Sequence, residues 1–179
     1  MGSPLPGARV WLRLLGYGIT ALLGALVHVL LLPWIAAAGI VPDVLLLLTF
    51  WIALREGQMA GTAVGFAVGL LVDVVTQGQV GLNAFAKTVS GFIVGFFAHP
   101  EDPEWLFTVD FFTMLGIVTL GSAVHNVLYF ALFVHPLEVS PIGFVLKYAG
   151  AATAYTVVVA ALLFLGGRLL RRRAAISEQ

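Results

Sequence analysis

A stretch without any charged residue, 57–72, carries glycines at every fourth position and is followed by a carboxylate: Gly61, Gly65, Gly69 and Asp73. Residues four apart lie on nearly the same face of a helix. Glycine is a poor helix former in water, but in lipid small residues let two helix backbones approach closely. The pattern therefore predicts a membrane helix that packs tightly on a neighbour and keeps one ionisable group inside the bilayer.

Composition places the whole chain in the same class. Of its 179 residues 60% are hydrophobic and 10% are charged, and the mean hydropathy is +1.03. Soluble domains are typically about 45–50% apolar and about 25% charged. We therefore expect an all-α, polytopic membrane protein with a single integral-membrane domain over residues 1–179. The chain contains no cysteine, which excludes disulfides, Cys-ligated zinc and iron–sulfur clusters.

About 20 apolar residues are needed to cross the hydrocarbon core of a bilayer. Apolar runs separated by proline, glycine or charged residues predict six transmembrane helices. The second is short for a full crossing. The expected spans are 14–33, 41–55, 58–76, 80–98, 106–133 and 142–167.

The arginines indicate the orientation of these spans. Arg9, Arg13, Arg55 and the group Arg168, Arg171, Arg172 and Arg173 fall on one side, whereas the loops 34–41, 77–79 and 134–141 contain no Lys or Arg. The positive-inside rule places the basic side in the cytoplasm. We therefore expect both termini in the cytoplasm, with short tails at 1–13 and 168–179. The C-terminal arginines are predicted to anchor this orientation, with specific anionic-lipid binding as the alternative.

One ion pair is predicted inside the membrane, between Asp73 and Lys87. The third and fourth spans form a hairpin with its turn near Gly78, five residues after Asp73 and nine before Lys87. The two groups then differ in depth by only about 6 Å. An ionisable residue inside a membrane is a candidate functional site when a partner can be named, but a structural clamp is the other interpretation.

Other polar residues fall at a similar depth, in the outer half of the membrane. Asp43 follows a proline at a helix start, where capping alone would explain a carboxylate. The histidines are either hydrogen-bonded packing residues or ligands, and Lys147 either joins the cluster or extends to the interface. The predicted buried polar cluster comprises Asp73, Lys87, Asp43, Asn83, His28, His125 and Lys147.

Small residues recur four positions from a polar group on several helices. They are predicted to pack helices closely, either inside the chain or against a partner's helix. The predicted packing or partner-facing positions are Gly61, Gly65, Gly69, Gly91, Gly95, Gly24 and Gly121.

The sequence contains no G-x-S-x-G, H-E-x-x-H or P-loop motif. Ser122 and His125 lie three apart on one helix without a third partner, and the four histidines have no metal-ligand spacing. We therefore expect no enzymatic activity, no cofactor and no metal. There is no basic domain with interleaved aromatic residues, so nucleic-acid binding is not expected.

A segment of roughly 42–97 resembles a bacterial membrane-protein family. It has a proline and aspartate opening an apolar helix, a basic turn at Arg55, a glycine-rich helix ending in G-x-x-x-D, and a short turn before Asn83. In this order the elements resemble the rod shape-determining protein MreD family. The turn Gly78-Gln79-Val80-Gly81-Leu82 is shorter than, or shifted from, the family's G-x-x-x-L-G. The matching residues are Pro42, Asp43, Gly65, Gly69 and Asp73.

The resemblance implies a non-catalytic scaffold subunit of the cell-elongation machinery in the bacterial plasma membrane, which directs peptidoglycan synthesis. It implies docking to MreC through small-residue helix faces. It also implies association, expected to be indirect, with MreB, RodA and its penicillin-binding transpeptidase partner. The implied fold is similar to that of the substrate-binding subunits of energy-coupling-factor transporters. A small-molecule binding subunit of a transporter is therefore the alternative function, and self-association stays open.

Overall fold

The computed structural model describes residues 6–30, 34, 36, 40–102, 104–134 and 141–177. Throughout this part of the chain the secondary structure is helical, with no strand. A 3₁₀ turn, Gly95–Phe97, continues α4. The helices are α1 Pro6–Leu30, α2 Val44–Glu56, α3 Gln58–Val75, α4 Leu82–Val94, α5 Trp105–Thr108, α6 Phe111–Val134 and α7 Pro141–Ser177.

Three of these helices are long and apolar enough to cross a membrane: Gln58–Val75, Phe111–Phe133 and Ile142–Leu170. The all-helical membrane class is thus supported, while the count of six crossings stays a prediction. α2 has 13 residues, which at about 1.5 Å each give a length of about 20 Å. Because its residues are buried on several sides, α2 lies among the other helices.

One predicted boundary needs a correction. The fifth span was expected as one helix over 106–133, but the helix is interrupted between α5 and α6. There Asp110 Oδ2 accepts hydrogen bonds from the backbone of Phe112 and Thr113, which caps the start of α6. α1 begins at Pro6 and α7 continues to Ser177, so both predicted tails are partly helical.

The helices pack around α2 and the α3–α4 hairpin. α3 and α4 make the most extensive contact, α6 packs on α7 and α4, and α1 contacts α2 and α3. One apolar core joins α2 to α4 and α6 through Phe50, Val94 and Val118. A smaller one joins α1, α2 and α3 through Ala25, Leu45 and Val68. This arrangement brings the starts of α2 and α4 to one end of the bundle, where α2 meets the middle of α7 at Thr156.

Candidate functional site: a buried polar centre beside a cavity

Asp43 links three helices at this end of the bundle. Its Oδ1 accepts a hydrogen bond of 2.8 Å from the backbone N–H of Leu46 and so caps α2. Its own backbone N–H donates to Thr156 Oγ1 on α7, at 3.3 Å. The predicted capping role is therefore present, and the same residue has a second role through its other carboxylate oxygen.

That second oxygen, Oδ2, forms an ion pair with the ammonium group of Lys87. The Lys87 side chain is fully buried, so the pair is held in a low-dielectric surrounding where an unpaired charge would be costly. The predicted pairing of Lys87 with Asp73 is wrong. From its position on α4, Lys87 reaches across to the start of α2, and the Asp73 carboxylate is bound elsewhere.

Asp73, on α3, caps the following helix. Its carboxylate accepts hydrogen bonds from the backbone N–H groups of Gly81, Asn83 and Ala84, at 2.9, 3.1 and 3.2 Å. The side-chain amide of Asn83 donates a fourth, at 2.9 Å. These N–H groups are the unsatisfied donors at the start of α4, where the helix dipole also favours a negative charge. The buried acid is thus stabilised by a helix N-terminus rather than by a cation.

The two predicted histidines lie near Asp43. His125 on α6 is 3% exposed, and its Nε2 lies 3.5 Å from Asp43 Oδ2. His28, on α1, is half-buried. The Nδ1 atoms of both rings are buried and have no hydrogen-bond partner within the described part of the chain. Each ring therefore keeps an unused hydrogen-bonding atom at the polar centre.

Lys147 does not belong to the buried cluster, so its inclusion there is wrong. Its side chain is exposed, and its Nζ lies 5.6 Å from the centre of the Tyr148 ring. Residue 147 lies on the outward face of α7, so its long side chain can extend away from the bundle.

All seven predicted glycines lie against neighbouring helices. A Cβ atom built on any of them would come closer than 3.0 Å to a neighbour, whereas Gly16, Gly18, Gly116, Gly143 and Gly150 have nothing within 4 Å. Gly65 and Gly69 face the backbone of α4 at Lys87 and Ala84. These faces are occupied within the chain, so they are not available to a partner's helix.

Of the predicted anchor residues, only Arg168 has a described side chain; those of Arg171, Arg172 and Arg173 lie outside the described residues. Arg168 donates to the backbone carbonyl of Val109, and its guanidinium lies 4.5 Å from the centre of the Phe164 ring. It therefore ties α7 to the break before α6.

A cavity of about 490 Å³ opens beside Asp43. It is bounded by the start of α2, the ends of the hairpin, and the facing sides of α6 and α7. Its polar and aromatic lining residues are His28, Asp43, Thr76, Asn83, His125, Asn126, Tyr129, Phe130, Phe144, Tyr148 and Thr156.

Several of these residues were not predicted from the sequence. Asn126 donates to Thr153 Oγ1 at 3.0 Å and so joins α6 to α7. A lone amide in an apolar helix is the signal that would have found it, because such groups hydrogen-bond across membrane helices. Thr156 gives no such signal, since a threonine hydroxyl can bond within its own helix. The aromatic side chains resemble ordinary apolar packing residues in the sequence.

Ser122 Oγ has no hydrogen-bond partner in the described structure, so Ser122 and His125 do not form a nucleophile and base. Within the same residues, no group of three His, Asp or Glu is placed to hold a metal ion.

No protein-family model matches the sequence, and neither a curated protein nor a solved structure is significantly similar to it.

Proposed function

We propose that this chain is a non-catalytic scaffold subunit of the bacterial cell-elongation complex, of the MreD type. One observation carries the proposal: four of the five residues that match the family pattern, all except Pro42, act in capping helices or joining them. Asp43 caps α2 and binds Lys87, Gly65 and Gly69 seat α4 on α3, and Asp73 caps α4. Such a motif builds a rigid helical unit and presents no reactive group.

The proposed docking face lies on α7. Since the predicted glycines pack inside the chain, a partner's transmembrane helix needs another surface with small residues. α7 has one face on which exposed Lys147 is flanked by exposed small residues: Gly143, Gly150, Ala151 and Ala154. On α1, by contrast, the open Gly16 lies beside exposed Leu15 and Ile19. Close backbone approach between membrane helices favours the α7 face, and the expected partner is MreC, which has a single span.

Co-purification tests this assignment. The chain is expressed with the MreC of the same bacterium and captured through a tag on the chain. We expect MreC to be recovered with the wild type and with Gly16→Leu, but not with Gly150→Leu. Both glycines are in open surroundings, so both variants should fold. Failure to recover MreC with the wild type would reject the scaffold function, and equal recovery with both variants would reject the α7 face.

A second candidate is a small-molecule binding subunit of a transporter, which is favoured by the cavity beside Asp43. Capture without MreC, together with a raised melting temperature when a vitamin is added, would place this candidate first. The proposed topology is the same in both cases: six crossings of the plasma membrane, with both termini and the arginines in the cytoplasm and the cavity toward the outer face.

A further inference from the structure

The cavity beside Asp43 has the size of a ligand site. Pockets that bind small molecules are typically about 300–1,000 Å³, mostly apolar, with a few polar groups placed to orient the ligand. At about 490 Å³ this cavity lies within that range. It belongs to the chain alone and is separate from the α7 docking face, so what it binds does not depend on the scaffold function.

The charges at the cavity favour an uncharged ligand. Asp43 is the only Asp or Glu among the described lining residues, and the ammonium of Lys87 pairs with its carboxylate from the buried side. The pair leaves no net charge to balance a charged ligand. In a low-dielectric site an ion without a counter-charge is strongly disfavoured, so neither an anion nor a cation is well matched.

The rings at the cavity favour a flat ligand. Phe144 and Tyr148 on α7 lie with their ring centres 4.4 Å apart, and Phe130 of α6 lies about 6 Å from each. On α6, the ring of His125 is stacked against Tyr129. Aromatic side chains bind other rings by offset stacking and edge contacts, which a flat aromatic molecule can make with the rings that line the cavity.

Unused hydrogen-bonding atoms favour a ligand with polar ring atoms. The Nδ1 atoms of His28 and His125 have no partner within the described residues, and both residues line the cavity. A buried polar group without a partner costs about 1–3 kcal/mol. A ligand that supplies matching atoms would remove that cost, and a hydrocarbon of the same shape would not.

We infer that this cavity binds a small, uncharged, flat heteroaromatic molecule. It lies between the rings of α6 and α7 and forms hydrogen bonds to His28 and His125. The Asp43–Lys87 pair holds the start of α2 at the cavity and keeps it free of net charge.

The test uses the full chain in lipid nanodiscs and four flat heteroaromatic probes, of which three have two fused rings and lumichrome has three. Quinazolinone and lumichrome are uncharged heteroaromatics, N-methylquinolinium is a cation and quinaldate is an anion. Equilibrium dialysis gives the dissociation constants, and tryptophan fluorescence gives the melting temperatures. At least one uncharged probe is expected to raise the melting temperature and to bind at least about tenfold more tightly than either ion.

A matched pair of variants locates the binding. Ala152 is buried and lines the cavity, whereas Ala131 on α6, next to the lining residue Phe130, is exposed and does not line it. Ala152→Phe should fill the cavity and weaken binding at least about tenfold, and Ala131→Phe should leave binding unchanged. If Ala152→Phe does not fold, His28→Leu and Tyr148→Leu replace it as the test variants. Both positions are only half-buried, so both variants should fold. Both should weaken binding of the uncharged probes.

Three results would overturn the inference. They are no binding by either uncharged probe, equal binding by the ions, and binding that survives in the folded cavity variants. None of them affects the recovery of MreC, so the inference and the scaffold function can fail separately.

Discussion

The α3–α4 hairpin and the α6–α7 pair are both contacts between antiparallel apolar helices, but they are built differently. In the hairpin, glycines bring one backbone onto the other, and the Asp73 carboxylate is fully hydrogen-bonded. In the α6–α7 pair, aromatic side chains pack against one another between the helices, and Ser122 and His125 on α6 keep unpartnered atoms within the described residues. The hairpin interface is thus filled by backbone atoms, whereas a cavity opens beside the aromatic rings of the α6–α7 pair.

The difference assigns separate roles to the two regions. A helix pair held by backbone contact cannot adjust without losing many close contacts at once, so the hairpin serves as the rigid frame. Large side chains can change rotamer, which makes the α6–α7 pair the region able to admit a ligand. Asp43 and Lys87 connect the two, since the lysine comes from the hairpin and the aspartate borders the cavity.

The largest expected effect comes from breaking that connection. Lys87→Met leaves the Asp43 carboxylate buried without its cation, which should lower the free energy of unfolding by about 3–5 kcal/mol. Lys147→Met, which removes an exposed cation, should change it by less than about 0.5 kcal/mol. Both can be measured by unfolding in mixed micelles, followed by tryptophan fluorescence.

A double-mutant cycle identifies the partner of Lys87. Asp43→Asn combined with Lys87→Met should recover part of the loss, with a coupling energy of about 0.5–3 kcal/mol. The effects of Asp73→Asn and Lys87→Met on the free energy of unfolding should be close to additive. A larger coupling energy for Asp73 with Lys87 than for Asp43 with Lys87 would show that Lys87 pairs with Asp73, as expected from the sequence.

Asp73 should behave as a helix cap. Asp73→Ala leaves several backbone N–H groups at the start of α4 without an acceptor, which should cost about 1–3 kcal/mol. Asp73→Asn keeps one acceptor oxygen and should cost roughly half as much. If the carboxylate were needed to neutralise a cation, the two variants would instead be equally destabilised, and the unfolding free energies distinguish the two cases.

The backbone contact in the hairpin can be tested with a single methyl group. A Cβ on Gly65 would collide with the backbone carbonyl of Lys87, so Gly65→Ala should force the helices apart at a cost of about 1–3 kcal/mol. Gly150→Ala on α7 is the matched control, because nothing lies within 4 Å of that position. Equal melting temperatures for the two variants would mean that α3 and α4 are not in backbone contact.

The sequence predicted the packing of the α3–α4 hairpin better than it predicted the polar centre and the cavity. Glycines four apart beside a complementary row on the next helix depend only on local periodicity, so the close α3–α4 contact could be expected. The partner of Lys87 could not, because Asp43 is 44 positions away and becomes a neighbour only once α2 packs on the hairpin. The predicted depth in the membrane could not show whether Asp43 or Asp73 is the partner of Lys87. The cavity could not be predicted for a similar reason, because empty space between side chains leaves no pattern in the sequence.

The smallest expected effect compares two buried serines, one in each region. Ser90 Oγ, in the hairpin, donates to the backbone carbonyl of Lys87, whereas Ser122 Oγ on α6 has no partner among the described residues. Ser90→Ala should therefore cost about 0.5–1.5 kcal/mol, and Ser122→Ala should be neutral or slightly stabilising, since it removes an unsatisfied hydroxyl. Unfolding free energies measured under the same conditions check the pair. Since both side chains are fully buried, lost packing is nearly equal in the two variants and the difference reports hydrogen bonding. If Ser122→Ala were the more costly, Ser122 Oγ would have a partner, and the contrast between the satisfied hydroxyl in the hairpin and the unsatisfied hydroxyl on α6 would fail.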